Sequence, residues 1–148
     1  MGLDMYLKGK KYISEYSDKE DFEKVNAVDL GQKSFKINNI EVEVLYWRKA
    51  NAIHDWFVRE VQAGVDECQE SYVSTEKLKT LRDLCREVMN DKEKAKSLLP
   101  TRSGFFFGDT SYDEWYFMHI ENTEKQLTEV LEDEEFLKSW EFYYQSSW

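Results

Sequence analysis

Between residues 34 and 62 the hydrophobic repeat changes from two residues to about 3.6 with no spacer between. In SFKINNIEVEVLYW, Phe35-Lys36-Ile37 and Ile40-Glu41-Val42 flank Asn38-Asn39. Paired asparagines tolerate the positive φ angles of a tight turn, so this stretch predicts a hairpin at Asn38-Asn39. Ile40, Val42, Val44 and Tyr46 then share one face of its second arm. RKANAIHDWFVREVQ follows at helical period, with Ala50, Ile53, Phe57 and Val61 on one side of a helix starting near Arg48. Gly64 marks its stop.

The remaining segments extend this mixture. Leu3, Met5 and Leu7 alternate with polar neighbours as a strand, and SWEFYYQSSW alternates again at the other end, with Trp140, Phe142 and Tyr144 on one face. Residues 14–34 are acidic and poor in large apolar groups, a surface excursion with a short helix around Phe22 and Val25. Val73, Ser74 and Leu78 have the spacing of a hydrophobic staple with a serine N-cap, and Leu78, Leu81, Cys85 and Val88 trace the buried stripe behind it. Pro100 ends a short helix.

GFFFG (104–108) reads as a short buried strand between glycine turns, with Phe105 and Phe107 on one face and Phe106 on the other. Ser111 and Glu114 match a capping box, making Tyr112 the first residue of a helix whose stripe is Phe117, Ile120, Leu127 and Leu131. Together these segments predict one α+β domain over residues 1–148. Its small, mainly antiparallel sheet, made of the terminal strands and a central hairpin, packs against about three helices.

Composition narrows the functions. With 148 residues, 41% hydrophobic and 16% aromatic, the chain can bury a core without metal or disulfide. Thirty acids against twenty Lys and Arg give a net charge of −10, which disfavours direct binding to nucleic acid or to an anionic membrane. No apolar run reaches membrane-spanning length and the start of the chain lacks a signal peptide's apolar region, so the cytoplasm is the expected compartment. Cys68 and Cys85 form no C-x-x-C pair, and neither histidine lies in an H-E-x-x-H motif, so no metal or other cofactor is expected. GFFFG lacks both phosphate-loop patterns, and no nucleophile elbow is present.

Two blocks carry candidate chemistry. In YWRKANAIHDWFVRE, cations, an amide and an imidazole stand beside tryptophans, a set able to hold a small anion or nucleotide. The rim of GFFFG adds Arg102, Asp109 and Tyr112. A ligand pocket built from these would be lined by Arg48, Asn51, His54, Trp56, Arg102, Asp109, Tyr112 and Tyr144, provided that the blocks converge. Ordinary packing and ion pairing account for the same residues without a ligand. His54 and His119 each lie near acids, as a general acid/base would.

Four blocks, MGLDMYL, YWRKANAIHDWFV, TRSGFFFGDTSYDEWY and WEFYYQSSW, resemble in this order an uncharacterised family of small proteins from phages and bacterial genomes. The likeness spans nearly the whole chain. Some members carry a phosphoglycerate-kinase label, but this chain is far shorter than that two-domain enzyme and has no nucleotide-binding pattern. The resemblance implies a phage or mobile-element setting, inside an infected or carrier bacterial cell. In that setting small acidic proteins often bind and block a host factor, including defence and nucleic-acid-processing enzymes. The leading expectation is therefore a non-enzymatic inhibitor of a host protein with a basic surface. The alternatives are a small-ligand or nucleotide sequestering protein and an enzyme using a His–carboxylate pair.

Overall fold

Strands β1 (Asp4–Tyr12), β2 (Asn39–Arg48), β3 (Ser71–Val73) and β4 (Glu141–Ser147) form one antiparallel sheet in the order β2-β1-β4-β3 in the computed structural model, which describes residues 2–148. Six helices complete the α+β domain: α1 (Lys19–Asn26), α2 (Asn51–Glu60), α3 (Thr75–Asn90), α4 (Ala95–Leu98), α5 (Glu114–Glu132) and α6 (Glu134–Ser139). The terminal strands are neighbours, with Asp4 opposite Ser147. No helix among the described residues is long and apolar enough to cross a membrane.

The hairpin forms, but not at Asn38-Asn39. Asn39 already belongs to β2 and pairs with Tyr12, so the partner of β2 is β1 and the acidic excursion is the connection. Residues 35–37 make no strand because a side chain takes the place of a strand partner. Asn26 accepts from the Ile37 N–H at 2.7 Å and donates to the Ile37 carbonyl at 3.0 Å.

A bulge corrects the expected face of β2. Leu7 pairs with Leu45 and Lys8 with Glu43, leaving Val44 as the extra residue. Beyond it the buried positions become Leu45 and Trp47, and Tyr46 turns to the outer face, where its ring meets Tyr6 and its hydroxyl donates to Asp4. Lysines on that outer face are consumed by acids: Lys8 and Lys10 each pair with Glu41 and Glu70.

The core lies between the inner sheet face and the helices. Leu3, Met5, Leu7, Phe142 and Tyr144 meet Ile53 and Phe57 of α2, the expected stripe of α3, and Ile120, Leu127 and Leu131 of α5. Each such side chain contributes about 1.5–3 kcal/mol on burial. Helix α2 is not one-sided as its period suggests. Every residue from Asn51 to Val58 is buried, so its polar side chains must find partners inside the protein.

Ser74 caps α3 as expected, accepting from the Lys77 N–H. The helix after GFFFG does not start with a Ser111 capping box. Asp113 is the cap, accepting from the Tyr116 N–H at 3.1 Å, while the Ser111 N–H and hydroxyl both donate to Asp109. GFFFG itself is a turn and not a strand. The Phe107 N–H donates to the Gly104 carbonyl and Phe106 has φ 65°, a geometry in which the rings cannot alternate. Phe107 alone is buried; Phe105 and Phe106 stand 77% and 45% exposed, edge to face.

Candidate functional site

The junction of β2 and α2 builds the most distinctive surface of the molecule. Lys49 turns the chain with φ 56°, its N–H held by the Leu3 carbonyl at 2.8 Å. Ala50 then occupies the N-cap of α2 and has no side-chain acceptor to offer. The N–H groups of Asn51, Ala52 and Ile53 donate to no protein acceptor among the described residues, although all three residues are buried. Unsatisfied amides at the positive end of a helix favour an anion.

Asn51 brings the second wall to this corner. Its Nδ2 donates to the carbonyls of Phe107 (3.1 Å) and Asp109 (2.9 Å), and its Oδ1 accepts from the Arg102 N–H at 3.0 Å. One side chain thus ties the loop after Pro100 to the first turn of α2. Between α2, this loop and the start of α5 lies a cleft of about 510 Å³, within the usual range for small-ligand sites.

The cleft has a cationic lip and an apolar wall. Arg48 and Lys49 line one side; Trp115, Met118, His119 and Ile120 line another. Arg48 bonds to Asp4 at 3.3 Å, whereas Lys49 makes no ion pair among the described residues. The Lys49 stem runs across Gly108, where an added Cβ would lie 3.3 Å from Lys49 Cβ and the backbone has φ 88°. Trp115 is 69% exposed and meets no other ring among the described residues. His119 makes no side-chain hydrogen bond among them, and burial holds its pKa below the ordinary value. Asp109 and Asp113 also line the cleft, the former kept ionised by its bonds from Ser111.

A separate polar cluster lies behind Phe107. His54 is fully buried, with Nδ1 2.6 Å from the Tyr144 hydroxyl and Nε2 2.9 Å from Asp66 Oδ2. A carboxylate only accepts, so Nε2 carries the proton and Nδ1 accepts from Tyr144. Burial lowers the His54 pKa and raises that of Tyr144 well above its ordinary value, so both are neutral here. Arg102 bridges Asp55 (3.2 Å) and Asp66 (3.6 Å), and the Trp148 indole donates to Asp66 at 3.0 Å. This chain has the order carboxylate, imidazole, phenol, but the phenol is fully buried and no described cavity reaches it.

The eight residues singled out in the sequence therefore divide. Arg48, Asn51 and Asp109 line the cleft; Arg48 does so from the end of β2 and not from the helix. His54, Arg102 and Tyr144 belong to the cluster behind it, Trp56 packs in the core, and the Tyr112 hydroxyl accepts from the Thr101 N–H. The C-terminal strand does not reach the cleft lining. Lys49, Trp115 and His119 belong to the cleft and were not among the eight, since only the αL turn and the start of α5 bring them there. Asp66, hub of the second cluster, sits in a loop with no distinguishing pattern around it.

No protein-family model, curated protein or solved structure matches the chain. The geometry of the cleft therefore carries the functional reading.

Proposed function

We propose that this protein is a non-catalytic binding protein that holds a small organic anion in the cleft between α2 and α5. The observation that carries this reading is the convergence on one apolar-walled cleft of Arg48, Lys49 and three α2 amides, of which Lys49 has no ion pair and the amides no protein acceptor among the described residues. Anions gain charge-assisted bonds there in a partly desolvated setting, and the Trp115 wall favours a ligand with an apolar part. Titration calorimetry and thermal shift with small phosphates and carboxylates test it. Saturation at about a hundred times Kd stabilises the fold by about 2.7 kcal/mol, and Lys49→Gln weakens binding about tenfold. If no small anion raises Tm at millimolar concentration, the proposal fails.

The Phe105–Phe106 pair favours a second reading, docking onto a host protein. Two exposed phenylalanines on a turn whose Phe106 holds a positive φ are costly in an isolated protein and suited to a partner's apolar pocket. The net charge of −10 adds attraction to a basic surface, as for a phage-type inhibitor of a defence or nucleic-acid-processing factor. Capture from a host lysate has to be stoichiometric, weakened by salt and abolished by Phe105→Ser with Phe106→Ser. Capture that survives the double substitution rules this surface out.

A further inference from the structure

The cleft is polarised. Its α2 side offers only donors: the Asn51, Ala52 and Ile53 amides, Arg48 and Lys49. Its loop side offers acceptors. The bonds that Ser111 and Tyr116 donate to Asp109 and Asp113 all fall on Oδ1, leaving Oδ2 of each carboxylate open to a ligand. A simple inorganic anion gains nothing from that side and is repelled by it. The donors on the α2 side outnumber what one carboxylate accepts and suit the three terminal oxygens of a phosphate monoester. At the start of α5 the exposed indole of Trp115 presents a face that no other ring among the described residues covers. A ligand using all three features has a phosphate at one end, N–H or O–H donors at the other, and a planar ring.

Resting on the anion-binding reading above, we infer that the cleft takes a nucleoside monophosphate, with its phosphate at the first turn of α2 and its base against Trp115. Ribose hydroxyls and exocyclic amines supply the donors for Asp109 and Asp113. Stacking on one aromatic ring contributes about 1–3 kcal/mol, so the base raises affinity about tenfold or more over the sugar phosphate alone.

The test compares ribose 5-phosphate with the four nucleoside 5′-monophosphates by calorimetry, with tryptophan fluorescence read in parallel. At least one nucleotide is expected to bind about tenfold more tightly than ribose 5-phosphate and to quench the indole. Trp115→Ala lowers nucleotide affinity far more than ribose 5-phosphate affinity, so the advantage is lost; Trp115→Phe retains part of it. Because Trp115 is largely exposed, neither variant threatens the fold. Lys49→Gln lowers affinity for both ligand types. If ribose 5-phosphate binds and no base adds to it, or if Trp115→Ala leaves the advantage intact, the nucleotide assignment is wrong while the anion site stands. If neither ligand type binds, the nucleotide assignment is wrong, and the anion site falls with it when no small phosphate or carboxylate raises Tm either.

Discussion

The Nε2–H of His54 donates to Asp66 Oδ2 across 2.9 Å, and this pair fixes how the fold responds to acid. Burial is the dominant influence on His54 and lowers its pKa; Asp66 and Asp55 oppose that effect, while Arg102 adds to it. His119 is likewise held low by burial, against Asp113. Unfolded, both imidazoles take up protons near the ordinary value of 6.5, and in the folded state they do so only at lower pH. The stability that these two imidazoles contribute is thus full above pH 6.5 and is lost as the pH falls from there through their folded-state values. Urea midpoints at about pH 7.5 and pH 5.5 measure this, and His119→Gln reduces the difference. Equal midpoints in the unsubstituted protein would contradict it.

Asn51→Ala removes all three bonds that tie the loop to α2 and leaves two carbonyls and an amide seeking water. The expected loss is about 2–4 kcal/mol. Limited proteolysis should then cut within residues 101–110 sooner than elsewhere. Asn51→Asp is no better, because a carboxylate cannot donate to the carbonyls of Phe107 and Asp109.

Gly104→Ala tests the seat of Phe107. A Cβ there would lie 2.5 Å from Phe107 Cδ2, so the buried ring has to leave its place beside His54 and Trp148. Destabilisation of about 1–3 kcal/mol is expected, together with altered near-ultraviolet circular dichroism. An unchanged spectrum would show that the ring does not move.

Asp113→Ala removes the α5 cap and costs about 1 kcal/mol; Ser111→Ala leaves the cap in place and costs less. Chemical denaturation of the two variants decides between the observed cap and the capping box that the spacing suggests. The reverse order of stabilities would favour the capping box.

The sequence made the α+β class, the α3 stripe and the closing strand legible because each depends on local period. Leu78, Leu81, Cys85 and Val88 recur at helical spacing and all four are buried. Local period says nothing about a bulge, so simple alternation puts Tyr46 on the wrong face of β2. It is equally silent when side chains replace backbone partners, which is how Asn26 took Ile37 out of the hairpin. GFFFG misled for a related reason: a positive φ at a phenylalanine leaves no compositional trace. The cleft was half visible, since Arg48, Asn51 and Asp109 stand in conspicuous blocks. Trp115 and His119 reach it from α5, a contact that only the tertiary fold creates.

The strand order has a consequence for synthesis. β3 pairs with β4 alone, and β4 also completes the second flank of β1. Until residues 141–147 have been made, the nascent chain holds a two-stranded hairpin and an orphan segment at Ser71–Val73, with Phe57 lacking the Tyr144 ring that stacks on it at 3.9 Å. The β1–β4 pairing joins segments nearly the whole described chain apart, a closure that slows folding. The finished sheet is therefore assembled only once that late strand is free of the ribosome, and an arrest upstream of it leaves a fragment with exposed edges for the cell's proteases.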